Sequence, residues 1–147
     1  MAMVEKSVLI ERSAQQMFAL VDDVESYPKF LPWCSRTEVK FRDETKTVAT
    51  LHISFLSVHS RFTTENAKEF PLRMGIKLVD GPFRKLEGLW RFKPLAENAC
   101  RIDFQLAYEF SGKWLEKVVG PVFSQIANTM VDSFVKRAGA VYGEPDA

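Results

Sequence analysis

Cysteine, histidine and net charge are all scarce in this chain of 147 residues. The two cysteines, Cys34 and Cys100, stand far apart. Two distant thiols form neither a disulfide framework nor a zinc spacing, so reduced thiols in a cytoplasmic protein are expected. The two histidines, His52 and His59, leave little material for metal or acid/base chemistry, and both fall on the polar phase of their segments. Formal charge is +1, from 20 basic and 19 acidic residues. That balance gives no global field to gather DNA or an anionic membrane, although charges can still segregate by face. No apolar run approaches the roughly 18 residues of a spanning helix. The opening stretch, MAMVEKSVLIERSAQQMF, carries charges where a signal peptide needs an apolar region. There is no Gly-rich phosphate loop and no serine-nucleophile elbow. Without repeats or linkers, residues 1–147 read as one domain, with a disordered tail expected over about 142–147.

Phenylalanine, by contrast, is abundant: 12 residues. Its ring has no hydrogen-bonding group, so many such rings need an apolar core, an apolar cavity or a greasy surface.

Residues 3–11 read as a first strand. Ser13 then opens a helix, with Gln16 three positions on to complete a capping box. Met17, Phe18, Leu20, Val21 and Val24 supply its apolar face. Ser26-Tyr27-Pro28 is predicted to break it, because the residue before proline avoids the α region. A short helical turn is expected around Lys29–Leu31, ended by Pro32.

From about Ser35 the apolar period becomes two. Thr37, Val39 and Phe41 alternate with Glu38, Lys40 and Arg42. The same alternation continues through Ala49–Phe55, Val58–Thr64, Leu72–Leu78 and Leu86–Phe92. It is clearest at Ile102, Phe104, Leu106, Tyr108 and Phe110. About seven strands result, six of them joined by hairpin-length connections and therefore antiparallel. One face is apolar and the other charged, as in a sheet covered on one side.

The last element is predicted as a helix of about 27 residues, Gly112 to Ala138, with apolar pairs recurring from Trp114/Leu115 to Phe134/Val135. At 1.5 Å per residue it would run roughly 40 Å, the length of the domain. Gly120-Pro121 is expected to kink it. Only this helix is long enough to cover the apolar sheet face. The fold class is therefore α+β: a curved antiparallel sheet wrapped on a long C-terminal helix. Such a sheet readily leaves room for an apolar ligand. The inward-phase candidates are Phe41, Phe55, Phe62, Met74, Trp90, Phe104, Phe110, Phe123 and Met130. For any one inward aromatic, core packing is the readier account. Two further aromatic clusters, Tyr27–Cys34 and Val79–Arg84, the second placing Phe83 at a hairpin tip, either pack locally onto the domain, the readier account, or form a lip, gate or contact surface.

The order of elements resembles the helix-grip (START-like, or SRPBCC) superfamily. Three stretches are similar to its coenzyme-Q-binding protein and ribosome-association toxin family. They are Tyr27-Pro28-x-Phe30-x-Pro32-Trp33-Cys34, Gly81-Pro82-Phe83-x-x-Leu86-x-Gly88-x-Trp90-x-Phe92, and Gly120-Pro121-Val122-Phe123 with Val131–Ala138. The resemblance implies two activities. One is binding of ubiquinone or a similar polyprenyl lipid in support of respiration. The other is binding of the large ribosomal subunit and blocking of subunit joining. Older family labels imply a polyketide cyclase or dehydratase, or lipid transport.

On the ligand reading, Phe30, Trp33, Phe83 and Phe123 would lie near the entrance. Phe55, Phe62, Trp90 and Phe104 would line the interior, with Met74, Tyr108 and Met130 completing the site; peripheral membrane contact is a separate candidate interaction that the sequence leaves open. On the ribosome reading, Arg61, Arg73, Lys77, Arg84 and Arg91 would face the subunit. A cyclase needs acid/base groups in the cavity. Tyr108 is the best polar residue on the inward phase, with Ser60 and Thr64 behind it. No catalytic residue, metal or cofactor is assigned.

Overall fold

The computed structural model describes residues 1–143. One seven-stranded antiparallel sheet, in the order β1-β7-β6-β5-β4-β3-β2, curls around a long helix. The strands are β1 (Ala2–Ile10), β2 (Cys34–Arg42), β3 (Lys46–Phe55), β4 (Val58–Glu69), β5 (Arg73–Asp80), β6 (Phe83–Ala96) and β7 (Ala99–Phe110). Helix α1 (Ala14–Asp22) and a 3₁₀ helix (Val24–Lys29) lie between β1 and β2, and α2 (Lys113–Tyr142) closes the chain.

The start of α1 follows the sequence closely. The Ser13 hydroxyl accepts from the Gln16 backbone N–H at 3.0 Å, and the Gln16 side chain accepts from the Ser13 N–H at 2.9 Å. Two free donors of the first turn are thereby satisfied. The break comes earlier than expected: α1 ends at Asp22, and Pro28 sits inside the 3₁₀ helix rather than before a turn at Lys29–Leu31.

Long antiparallel registers set the two faces. Leu86, Trp90 and Phe92 of β6 and Ile102, Phe104, Leu106 and Tyr108 of β7 are buried, while their neighbours in sequence are more exposed. Phe41 departs from the expected inward phase and is 47% exposed. A register irregularity between Val39 and Phe41 breaks the alternation there; bulges of this kind re-aim side chains. Leu72 is also exposed, because it lies in the connection before β5 rather than in a strand.

Helix α2 is longer than the sequence suggested. It continues past Ala138 to Tyr142, and Pro121 lies within it without ending it. Two contacts hold its end: the Tyr142 hydroxyl donates to the Gln16 carbonyl at 2.9 Å, and the Arg12 guanidinium donates to the Gly143 carbonyl. Tyr142 and Gly143 are thus anchored, which corrects the expected start of the tail; residues 144–147 lie outside the described residues. Phe134 ties α2 to both other layers. Its ring meets Trp90 of the sheet edge-on at 5.3 Å and Tyr27 of the 3₁₀ helix at 5.4 Å.

Candidate ligand cavity

Between the inner sheet face and α2 the apolar side chains leave a void of about 60 Å³. Its wall draws on β3 through β7, α2, α1 and the 3₁₀ helix. Of the residues named from sequence, Phe62, Met74, Trp90, Phe104, Phe123 and Met130 stand on this wall. The other five lie elsewhere. Phe83 is not at a hairpin tip: it opens β6 and is buried against Phe62, Phe110 and Phe123. Phe30 packs on Phe134 at 5.2 Å with the Arg137 guanidinium over its ring. Phe55 is half-buried at the end of β3. Tyr108 is buried 4.8 Å from Phe123 and lines a separate surface groove with Met1, Glu116 and Pro121. Trp33 is buried just before β2, and its indole N–H has no hydrogen-bond partner among the described residues.

The wall carries few polar groups. Thr64 and Asn66 follow each other on the inner face of β4, and the Thr64 hydroxyl donates to the Asn66 side-chain carbonyl at 2.9 Å. That bond leaves the Asn66 amide N–H₂ as the donor beside the void. Sequence reasoning missed Asn66. The signal was present, since Asn66 continues the inward phase of Phe62 and Thr64, where an amide is out of place unless partnered. Tyr27 is the third polar wall residue. Its hydroxyl donates to the Val21 carbonyl, and burial, aided by the nearby Asp22 charge, raises its pKa above the usual phenol range. Among the described residues no carboxylate, imidazole or ammonium group lies on the wall.

Both thiols are buried away from the wall, and burial pushes Cys34 and Cys100 up to about 11. Charge sits outside. On the β2–β3 surface Glu38 is held at about 2 by hydrogen bonds from Lys40 and then His52, with Arg36 adding a smaller pull. Among the described residues no group of three or more ligating side chains could hold a metal ion. Among the described residues no helix is long and apolar enough to cross a membrane.

Residues 10–135 match the family described as polyketide cyclase/dehydrase and lipid transport. The chain belongs to this family. Within the polyketide cyclase/dehydrase and lipid transport family, it is 42% identical to a ribosome association toxin RatA of Vibrio cholerae, over 98% of this chain and all of that one. It is 32% identical to the mitochondrial coenzyme Q-binding protein COQ10 homolog B of Xenopus laevis, over 96% of this chain and 59% of that one. The Zhui aromatase/cyclase of Streptomyces sp. R1128 shares the START-like fold, with a TM-score of 0.76 at 16% identity and 93% of each chain covered. The expected helix-grip architecture is therefore present in full.

Proposed function

We propose that this chain binds an apolar, chain-like ligand with a polar head, of the polyprenyl quinone class, between the sheet and α2. The observation that carries this reading is the composition of the cavity wall. It is apolar almost throughout and holds one polar pair, Thr64 and Asn66, with a free amide donor. A quinone carbonyl is an acceptor that suits such a donor, and its tail suits the rest. Resemblance to a protein named for coenzyme Q binding supports the same class.

The void is much smaller than the ~300–1,000 Å³ of ordinary ligand pockets. Binding therefore requires α2 to move outward. Its construction permits this. Hydrogen bonds anchor the C-terminal end to α1 and the loop before it, and Ser111 before the N-terminal end donates to the Pro82 carbonyl. Between them the helix meets the sheet largely through apolar contacts, which are non-directional. Pro121 removes one helical donor, and the Thr129 and Ser133 hydroxyls back-bond to carbonyls four residues earlier, a pattern that softens and bends helices.

Delipidated protein in detergent is expected to take up one polyprenyl quinone per chain, and Asn66→Leu is expected to weaken it. Failure to take up any polyprenyl quinone or fatty chain refutes the reading.

The full-length likeness to ribosome association toxins favours a second reading, docking on the large ribosomal subunit. The five basic residues named for it are all exposed. They are, however, interleaved with acid: Arg73 pairs with Glu69, Arg84 with Glu109, and Lys77 lies opposite Glu87. Salt-sensitive co-sedimentation with large subunits would support it, and none at low salt would eliminate it. Among the described residues the cyclase reading finds on the wall only the Tyr27 phenol, whose proton is already given to the Val21 carbonyl, and Tyr108 stands off it. Loss of turnover on a polyketide in Tyr108→Phe would be needed to revive it.

A further inference from the structure

The sheet end where α2 begins carries large apolar side chains in water. Trp114, in the first turn of α2, is 74% exposed, and Val118 one turn on is 41% exposed. Leu56, at the tip of the β3–β4 hairpin, is 71% exposed. That hairpin projects past both neighbours. β5 ends opposite Thr63 and β2 begins opposite Ile53, whereas β3 and β4 stay paired out to Phe55 and Val58. At about 3.3 Å per residue the paired part of the hairpin overhangs β5 by roughly 15 Å and β2 by roughly 7 Å. Phe62 at its base touches Phe83 and Phe123, and Phe83 stacks on Phe110, three residues before α2. Hairpin and helix start therefore share one end of the molecule.

Two features set these residues apart from ordinary surface. Leu56 and Ser57 have φ of 49° and 65°, the left-handed region that a two-residue hairpin turn normally fills with Asn and Gly. A leucine kept there, aimed at solvent, is an outlier of the sort associated with function. Around Trp114 the charge is positive and free. Lys113 and Lys117 make no ion pair among the described residues; Glu116 is the one acid in this turn, and it lines the groove beside Gly120 instead. Gly112 offers no capping side chain, so the first N–H groups of α2 have no side-chain partner there. A half-apolar indole flanked by ammonium groups and free N–H donors matches the boundary of an anionic bilayer, where the ring sits at headgroup level and the cations meet phosphate.

We infer that Leu56 and the Trp114 turn dock this end of the protein on an anionic phospholipid surface. The inference rests on the ligand reading in one respect only: a bilayer is the reservoir from which an apolar ligand comes.

The test uses the full chain and vesicles of phosphatidylcholine, alone or mixed with phosphatidylglycerol. Mixed vesicles are expected to retain the protein and shift Trp114 emission to the blue. Trp114→Ala and Leu56→Asn, both at exposed positions, should each reduce retention. Lys113→Gln and Lys117→Gln should each cost about fivefold on mixed vesicles and little on neutral ones. No retention on mixed vesicles at low ionic strength overturns the inference, as does retention indifferent to Trp114→Ala and Leu56→Asn. So does a result in which vesicles are ignored but Trp114→Ala weakens binding to large ribosomal subunits. Uptake of detergent-dispersed quinone is measured alongside. If it is absent while vesicle binding survives, the ligand reading falls and the docking surface stands.

Discussion

Phe134→Ala is the most informative single change. The side chain is 1% exposed and joins sheet, 3₁₀ helix and α2 through edge-on contacts to Trp90, Tyr27 and Phe30 at 5.3, 5.4 and 5.2 Å. Truncating a buried phenylalanine costs about 3–5 kcal/mol, from lost transfer energy and the space left behind. With a urea slope of ~2 kcal/mol per molar, the unfolding midpoint should fall by about 1.5–2.5 M. The new space joins the existing void, since Phe134 is itself a wall residue. A dry apolar cavity of that kind takes up small aromatic molecules. Toluene at a hundred times its dissociation constant should return about 2.7 kcal/mol to the variant and little to the native chain. Urea melts with and without toluene read both quantities. A loss under ~1 kcal/mol, or no recovery with toluene, would show that the three layers do not meet in one continuous cavity at this ring.

Gly88→Ala should destabilise the fold by about 1–3 kcal/mol, because an added methyl meets Leu106 Cδ1 at 2.9 Å and the Gln105 carbonyl at 3.1 Å. A chemical melt within error of the native chain would contradict that crowding. Cys34 and Cys100, both buried and held up to about 11, should react slowly with a thiol reagent near pH 8 and fast in denaturant. Fast reaction of either in the native protein would mean that its covering layer opens readily. Glu38 has a lowered pKa, so its contribution to stability is present above about pH 4.5 and lost as pH falls toward about 2. Glu38→Gln should flatten that part of the acid-stability profile, and an unchanged slope would put the loss on other carboxylates.

The period-two pattern made the seven strands legible because each inner-face residue is fixed by its strand's pleat. Ser13 and Gln16 announced α1 for the same local reason: a cap is written in adjacent residues. Phe41 was misplaced because a bulge is a pairing irregularity, invisible in one strand alone. Tyr142 was assigned to a tail because its anchor, the Gln16 carbonyl, lies 126 positions away in sequence. The site was harder. Phase shows that Phe62 and Trp90 face inward, but Phe83 and Trp33, read as parts of a hairpin tip and a proline-broken connection, are buried without lining the void. Asn66 was overlooked because an amide on an apolar phase looks like a lapse in the pattern until its neighbours are known.

Trp90 is the one tryptophan on the cavity wall, which makes it the reporter for the central claim. In a chain carrying Trp33→Phe and Trp114→Phe, a quinone held between sheet and α2 should quench Trp90 emission and saturate at one molecule per chain. Saturable quinone binding that leaves Trp90 emission untouched, or no binding at all, would place the ligand somewhere other than this cavity.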